Sequence, residues 1–318
     1  MDRRTFLQLA AVLAADGRAL AAAEMPMRKL GKTELTVSRI TVGGYHFLAG
    51  GEDEAIRIVH RAIDLGVNFF DCAHKYRGGR SDEVYGKALA GGLRKRVLVM
   101  SKAERRDRAS AMRQLEETLR RMRTDYLDLW QCHEVSTQEE VDRILAPGGA
   151  LEAFVAAKKQ GKARYIGFTG HRDPAVHRRL LEAFDGWDTV QHPVNLIDPH
   201  YLSFTREVLP RVRERGLGAI GMKSNAMGSI TRNRVATIAE CLRYAWTQPI
   251  DTLVSGVETV GQLEENVAAC KAFQPMSEAE ISELLERTRR GRHGPEVERY
   301  KKGRNAAATL RHGDGEPA

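Results

Sequence analysis

Short apolar runs alternate with longer amphipathic stretches along most of this chain. Residues 97–100 are all apolar, as expected for a strand buried on both faces, and Met112, Leu115 and Leu119 then recur at helical spacing. The alternation occurs eight times. It predicts strands over residues 39–44, 69–70, 97–100, 127–130, 164–168, 189–194, 217–222 and 252–257. It predicts helices over residues 54–65, 82–90, 112–122, 151–159, 175–184, 205–215, 235–246 and 261–272.

Eight strand–helix repeats indicate an α/β fold with a parallel sheet, and their number matches a closed (β/α)8 TIM barrel. Gly66, Gly161 and Gly216 stand where three of the helices must stop, as is common at helix ends. A doubly wound sheet would call for a glycine-rich phosphate-binding turn after the first strand, and residues 43–46 lack that pattern. We therefore expect one barrel domain over residues 24–274.

Three segments lie outside the repeats. Residues 24–38 are expected to form a short hairpin under the barrel, turning near Gly31, and residues 275–318 a helix over 278–290 followed by a flexible basic tail. In residues 1–23, a twin-arginine pair precedes an apolar run and a small-residue stretch. This pattern resembles a bacterial twin-arginine export signal, the alternative being a disordered or helical extension.

Composition narrows the classes of partner. The chain has 318 residues and a formal net charge of +8, but its basic residues are interleaved with acidic ones along the predicted helices. This arrangement favours a solvated surface over a nucleic-acid site. No segment after the first 23 residues approaches 18 uninterrupted apolar residues, so we expect no stable membrane association. The four cysteines show neither metal-ligand nor redox spacing, and a disulfide framework is not expected.

Four ionisable side chains follow three consecutive predicted strands: Asp71, Tyr76, Lys102 and His133. In a barrel of this kind, residues at the carboxyl ends of the strands meet at one mouth, where such enzymes carry out their chemistry. A carboxylate, a phenol, an ammonium group and an imidazole gathered there predict a proton-donating centre.

The same residues resemble a known family. Residues 66–76 read GVNFFDCAHKY, similar to the aldo-keto reductase signature G-[IV]-N-[FL]-[FI]-D-T-A-x-x-Y, and the resemblance extends from about residue 25 to residue 273. It implies reduction of a carbonyl, with Tyr76 as the general acid and His133 orienting the substrate. Lys102, held by Asp71, would lower the pKa of the phenol from its usual value of about 10.

The family likeness also implies a nicotinamide cofactor, usually NADPH. Gln191 would bind the carboxamide, and residues 255–266 would hold the adenosine phosphates at a helix N-terminus. Lys223 would reach the pyrophosphate or, alternatively, cap a solvated loop. The implied cofactor residues are Gly44, Thr169, Gln191, Met222, Lys223, Ser255, Gly256, Gln262, Glu265 and Asn266. NADPH-specific members often carry a lysine near position 255 and an arginine at position 262. We therefore expect NADP or NAD, without strict preference for NADPH.

Tyr45, His46 and His171 are expected to face a small carbonyl substrate, whose identity the sequence leaves open. Two other functions are compatible with parts of this sequence. One is a non-catalytic nicotinamide-binding barrel that acts as a sensor or partner subunit. The other is a metal-dependent hydrolase, which needs a histidine pair on the first strand, where only His46 stands, so no metal is expected. A working signal would bring the export machinery as a partner and a periplasmic or exported location, and otherwise a cytoplasmic one.

Overall fold

The structure is a computed structural model that describes residues 24–290 and 296–302. The expected export signal over residues 1–23 and the last part of the expected tail, residues 303–318, lie outside the described residues.

Two antiparallel strands form a small hairpin sheet, and eight parallel strands form a closed barrel in which the last strand pairs with the first. The strands are β1 (Met27–Lys29), β2 (Thr36–Ser38), β3 (Ile40–Gly43), β4 (Phe69–Asp71), β5 (Leu98–Ala103), β6 (Leu127–Cys132), β7 (Ala163–Thr169), β8 (Thr189–Pro193), β9 (Gly218–Met222) and β10 (Thr252–Gly256). The predicted (β/α)8 barrel and N-terminal hairpin are confirmed.

Helices connect the strands and cover the outside of the barrel. In the described residues they are α1 (Glu52–Asp64), α2 (Arg80–Ala88), α3 (Arg108–Met122), α4 (Gln138–Leu145), α5 (Ala150–Lys159), α6 (Pro174–Ala183), α7 (Phe204–Glu207), α8 (Leu209–Glu214), α9 (Ser229–Arg232), α10 (Ile238–Thr247), α11 (Val260–Lys271) and α12 (Glu278–Arg290). Their apolar faces pack on the strands to form the main core.

Two predicted helices differ from the observed ones for local reasons. The helix expected over residues 205–215 is interrupted at Val208, because Pro210 in the first turn of α8 has no amide hydrogen to continue the helix from α7. The helix expected over residues 235–246 begins later, at Ile238. Thr237 and Glu240 form a capping box there, each side chain bonding the other's backbone amide.

The N-terminal hairpin closes the bottom of the barrel. Leu30, Leu35 and Val37 are fully buried against apolar side chains that fill the barrel interior, namely Phe69, Met100, Leu129 and Ile220. The turn falls at Gly31, as predicted, with a φ of +53°. A Cβ on this residue would lie 2.3 Å from the Gly218 amide nitrogen, so the close approach requires glycine.

The C-terminal region packs on the loops after β8 and β9 instead of leaving the barrel. The predicted helix is confirmed as α12. Residues 296–302, which we call the C-terminal strap, pack against the barrel, whereas a flexible tail was expected there. The reason is a buried ion pair. The Lys301 ammonium lies 2.9 Å from Asp198 Oδ1, contacts the Glu298 carboxylate and donates to the Tyr201 carbonyl at 2.7 Å.

Cys72, Cys132, Cys241 and Cys270 are buried free thiols. Within residues 24–290 and 296–302, no helix has the length and apolar character needed to cross a bilayer.

Candidate functional site

A buried ion pair lies at the centre of the barrel mouth. Asp71 ends β4 and Lys102 lies in neighbouring β5, so their side chains meet where the two strands end. The Lys102 ammonium donates to Asp71 Oδ1 and, at 2.7 Å, to the Cys72 carbonyl. Asp71 is 3% exposed and Lys102 is 2% exposed. Charges this deep are stable only when paired and hydrogen-bonded, as these are.

Tyr76 and His133 complete the group. Tyr76 begins a single 3-10 turn after β4, and His133 follows β6 directly. The Tyr76 ring centroid lies 5.2 Å from Lys102 Nζ and 5.6 Å from the His133 ring centroid. Tyr45, from the loop after β3, contacts the Tyr76 ring edge-on at 5.3 Å. The structure therefore brings all four predicted catalytic residues together and places one predicted substrate residue beside them.

The electrostatics of the site differ from expectation in one respect. Burial raises the pKa of Tyr76 well above its ordinary value, and the negative charge of Asp71 raises it further. The sequence predicted a lowered pKa. That prediction is wrong for this structure because burial disfavours the phenolate and the nearby negative charge of Asp71 disfavours it further. Burial and the Lys102 charge together hold the pKa of His133 well below its usual range. At neutral pH the site therefore holds a protonated phenol and a neutral imidazole.

A second charged group flanks the first, and the sequence reasoning missed it. Glu134 Oε2 lies 2.5 Å from Lys75 Nζ, and Glu134 Oε1 lies 3.2 Å from His171 Nε2. Glu134 has a left-handed φ of +54°. Hydrogen bonding from His171 holds the pKa of Glu134 well below its usual range. Lys75 and Glu134 each adjoin a predicted catalytic residue, and that adjacency was the available signal.

The C-terminal strap supplies one wall of the mouth. The Tyr300 ring centroid lies 5.3 Å from that of His171 and 5.1 Å from Lys223 Nζ. Its hydroxyl donates to Glu298 Oε1 at 2.5 Å and accepts from Asn195 Nδ2 at 3.1 Å. Tyr300 lies beyond the stretch that resembles a known family, so the sequence offered no signal for it.

The ends of β8 and β9 fit the nicotinamide end of the implied cofactor. Gln191 Nε2 donates to Met222 Sδ at 3.7 Å. Gln191 Oε1 is buried and has no hydrogen-bond partner among the described residues, so it is an open acceptor for a carboxamide NH2. Thr169 is buried at the end of β7, where its carbonyl accepts from the Val135 amide. Gly44, after β3, donates its amide to the Asp71 carbonyl at 2.8 Å.

At the site predicted for the adenosine half of the cofactor, several hydrogen-bonding groups already have partners within the protein. Of the amides at the start of α11, that of Val260 donates to Glu54 Oε1 at 2.9 Å, and that of Gln262 donates to the Thr259 hydroxyl. The Gln262 side chain itself accepts from the Glu258 amide at 2.8 Å. Among the other predicted residues, Ser255 and Asn266 are hydrogen-bonded to each other, Glu265 is exposed, and Gly256 lies against His46. The helix start therefore offers a phosphate fewer free amides than expected.

The histidines near the strand ends have separate partners. His46 Nδ1 lies 3.8 Å from Glu258, His74 Nδ1 lies 3.3 Å from the Thr118 hydroxyl, and the ring of His192 stacks on Phe204. In the part of the chain that the structure describes, no three His, Cys, Asp or Glu side chains are grouped so that they could hold a metal ion.

Comparison with known proteins identifies the family. The family model described as "Aldo/keto reductase family" matches residues 39–241, more than half of the chain.

The chain belongs to the aldo/keto reductase family.

Two curated relatives align along most of their length. An uncharacterised oxidoreductase, YqkF, from Bacillus subtilis is 25% identical over 83% of this chain and 97% of its own. L-galactose dehydrogenase from Arabidopsis thaliana is 29% identical over 82% of this chain and 93% of its own. Among solved structures, the holo form of aldo-keto reductase AKR11C1 from Bacillus halodurans superposes with a TM-score of 0.72 at 22% identity. It covers 85% of this chain and 98% of its own.

An aldo-keto reductase from Klebsiella pneumoniae, solved in complex with NADPH, superposes with a TM-score of 0.67 at 24% identity. It covers 82% of this chain and 94% of its own. As an aldo/keto reductase, the protein is an NAD(P)-dependent oxidoreductase on a TIM barrel.

Behind this aldo/keto reductase site lies a buried carboxylate that the catalytic groups do not contact directly. Asp82, in the first turn of α2, accepts from Cys72 Sγ at 3.1 Å and from the Thr118 hydroxyl at 3.0 Å. Arg121 Nη1 is 3.9 Å away. Burial raises the pKa of Asp82 to about 7. Because the Cys72 carbonyl accepts from Lys102, this network supports the catalytic ion pair from behind.

The raised pKa of Asp82 predicts that the protein loses stability as the pH rises from about 4 to about 7. The folded state holds this proton more tightly than the unfolded state, whose pKa is about 3.9. Within that window, each pH unit changes the free energy of unfolding by about 1.36 kcal/mol. Between about pH 5 and pH 7, the free energy of unfolding should therefore fall by roughly 2–3 kcal/mol relative to Asp82→Asn. Urea denaturation at several pH values measures the difference, and parallel pH profiles for the two proteins would contradict the prediction.

Proposed function

We propose that the protein reduces an aldehyde or ketone to an alcohol, or catalyses the reverse reaction, with Tyr76 as the general acid. The observation that supports this best is the joint geometry of the barrel mouth. The Tyr76 ring lies 5.6 Å from the His133 ring and 5.2 Å from the Lys102 ammonium group, which is paired with Asp71. A pure binding module would not need a proton donor placed beside a buried ammonium group.

When bound, a reduced nicotinamide supplies the hydride that no side chain can donate. Gln191, Met222 and Thr169 would hold its ring and carboxamide, and Ser255 and Asn266 would contact the adenosine half. As negative charge develops on the carbonyl oxygen, the Tyr76 O–H donates its proton to that oxygen.

The other groups stabilise what Tyr76 leaves behind. The Lys102 ammonium stabilises the phenolate that remains after proton transfer, and Asp71 fixes the position of Lys102. His133, neutral because of its lowered pKa, can donate one hydrogen bond to the same carbonyl oxygen and so orient the substrate. The raised pKa of Tyr76 keeps this acid protonated throughout the neutral range.

For the cofactor, we propose that both NADH and NADPH are accepted. The side chain of Gln262 bonds to the backbone of Glu258, and the Glu258 carboxylate would repel a 2′-phosphate. Titration of each reduced cofactor by quenching of protein fluorescence tests the proposal. A strong preference for NADPH would contradict it.

Turnover is tested by following the absorbance of the reduced nicotinamide with a panel of aldehydes, ketones and aldoses. L-galactose, with NAD or NADP, belongs in the panel because of the Arabidopsis relative. Carbonyl-dependent oxidation of the cofactor supports the proposal. Tight cofactor binding without turnover across the panel would favour the sensor or partner-subunit alternative.

We also propose export through the twin-arginine pathway, supported only by Arg3, Arg4 and the apolar run that follows them. Fractionation of cells that produce the protein with and without Arg3→Lys and Arg4→Lys tests this. Equal periplasmic amounts would contradict it.

A further inference from the structure

The cleft between the loops after β4, β5 and β6 and the C-terminal strap has an unbalanced charge. Among the described residues of this cleft, the ammonium groups of Lys75, Lys102 and Lys223 face the carboxylates of Asp71 and Glu134. The charges of Arg77 and Glu258, which act on His46 nearby, are of opposite sign. Lys102 is paired with Asp71, and Lys75 is paired with Glu134. Burial lowers the pKa values of His133 and His171, so neither imidazole adds a positive charge at neutral pH. The remaining ammonium group is Lys223.

Lys223 follows β9 and is half-buried, with a left-handed φ of +57°. Its Nζ atom lies 5.1 Å from the Tyr300 ring centroid, close enough for a cation–π contact. No carboxylate in residues 24–290 or 296–302 forms an ion pair with it. A partly desolvated ammonium group that has only an aromatic face for a partner is well suited to bind an anion.

Building on the proposed carbonyl reduction, we propose that Lys223 is an anion subsite for the substrate. The substrate would then carry a carboxylate in addition to the carbonyl that Tyr76 and His133 engage, with the Tyr300 ring covering the carboxylate end. Binding such a carboxylate would give Lys223 a partner and balance the charge of the cleft.

The surroundings of Lys223 favour the substrate over the cofactor pyrophosphate that the sequence suggested. The charges of Glu134, Lys102 and Asp71 act on the Lys223 ammonium group. These three residues line the part of the mouth where the carbonyl would bind. Its aromatic contact, Tyr300, also touches His171, a predicted substrate residue. The residues expected to hold the adenosine half, Ser255 of β10 and Asn266 of α11, bond to each other.

The subsite should lose affinity as the pH rises. Burial lowers the pKa of Lys223 to about 8, so its charge is lost in mildly alkaline solution. The charged or titratable groups around it are Glu134, Lys102, Asp71, Lys75, His171 and His46, with the phenol of Tyr300 beside it. Of these, Lys102 and Lys75 also disfavour the ammonium form, whereas Glu134 and Asp71 favour it.

The test compares 4-carboxybenzaldehyde with its neutral ester, methyl 4-formylbenzoate. The two share a ring and an aldehyde and differ in the charge at the far end. For the unmodified protein we expect a lower KM for the acid, and the advantage should shrink as the pH passes about 8. An ester that is used as well as the acid at neutral pH would overturn the proposal.

Variants of Lys223 locate the effect. Lys223→Gln should raise the KM for the acid about 10- to 100-fold, the range for loss of a charge-assisted hydrogen bond, and change the KM for the ester less than about twofold. Lys223→Arg should restore part of the preference and remove its pH dependence. Lys95→Gln, at an exposed position before β5 at the opposite end of the barrel, is the matched control. A weaker affinity of Lys223→Gln for NADPH with an unchanged acid-to-ester ratio would overturn the proposal in favour of the pyrophosphate.

Binding measurements without turnover distinguish a failure of this proposal from a failure of the proposed function. Calorimetry measures binding of 4-(hydroxymethyl)benzoate and its methyl ester to the full chain, with and without NADP. If neither aldehyde is reduced but the carboxylate binds in a manner that depends on Lys223, the subsite stands and the proposed function fails. If both aldehydes are reduced equally and the carboxylate binds no better than the ester, the proposed function stands and the subsite is refuted.

Discussion

Tyr76→Phe is expected to lower kcat for carbonyl reduction by about 100-fold to 10,000-fold, the usual contribution of a positioned general acid. The substitution removes only the hydroxyl. The ring keeps its contacts with His133, Tyr45 and Lys102, so substrate and cofactor binding should change little. The loss should therefore appear in kcat, measured from the absorbance of the reduced nicotinamide at saturating carbonyl.

Tyr126→Phe serves as the control for this substitution. Tyr126 directly precedes β6, at the end of the barrel away from the mouth, and its ring contacts Arg94. Its variant should keep full activity. If Tyr76→Phe also kept the kcat of the unmodified protein, the proton would have to come from another group, and the role assigned to Tyr76 would be wrong.

Lys301→Met is expected to cost about 3–5 kcal/mol of unfolding free energy, the range for removing one partner of a buried ion pair. Asp198 keeps four other donors, from Ser203, Phe204 and Thr205. Among the described residues, Glu298 keeps only Asn195 and Tyr300 as partners, so most of the cost arises at its carboxylate. Urea denaturation monitored by tryptophan fluorescence gives the difference.

Lys302→Met is the matched control, because Lys302 is the next residue along the strap and is half-exposed. It should change stability by less than about 0.5 kcal/mol, as surface substitutions usually do. Equal stabilities for the two variants would show that the buried pair does not anchor the strap.

The sequence predicted the parts of the site that follow from strand endings. Asp71, Lys102 and His133 each come directly from the barrel topology, because the carboxyl ends of parallel strands must meet at one mouth. Tyr76 could be placed because it lies only five positions after Asp71. Helix boundaries set by side-chain capping, such as the capping box at Thr237, shifted by a few residues because apolar periodicity does not detect them.

Features that depend on contacts distant in sequence could not be predicted. The direction of the Tyr76 pKa shift depends on how deeply the phenol is buried and how close Asp71 lies to it, which only the three-dimensional arrangement decides. The strap is a clearer case. In the sequence, Lys301 is one basic residue in a basic tail. Only the structure shows that it pairs with Asp198, and this pairing holds Tyr300 at the mouth.

The position of the strap in the chain has a consequence for biosynthesis. Lys301 bonds to Asp198 across 103 positions, so the strap is synthesised long after the loop that it binds. All eight barrel strands leave the ribosome before Tyr300 does, so the barrel can close while one wall of its mouth is still missing. Because the contact between Lys301 and Asp198 closes a long loop, we expect the strap to dock late and slowly during folding. A nascent chain lacking the strap would therefore expose Lys223 and His171 to solvent until the strap had been synthesised.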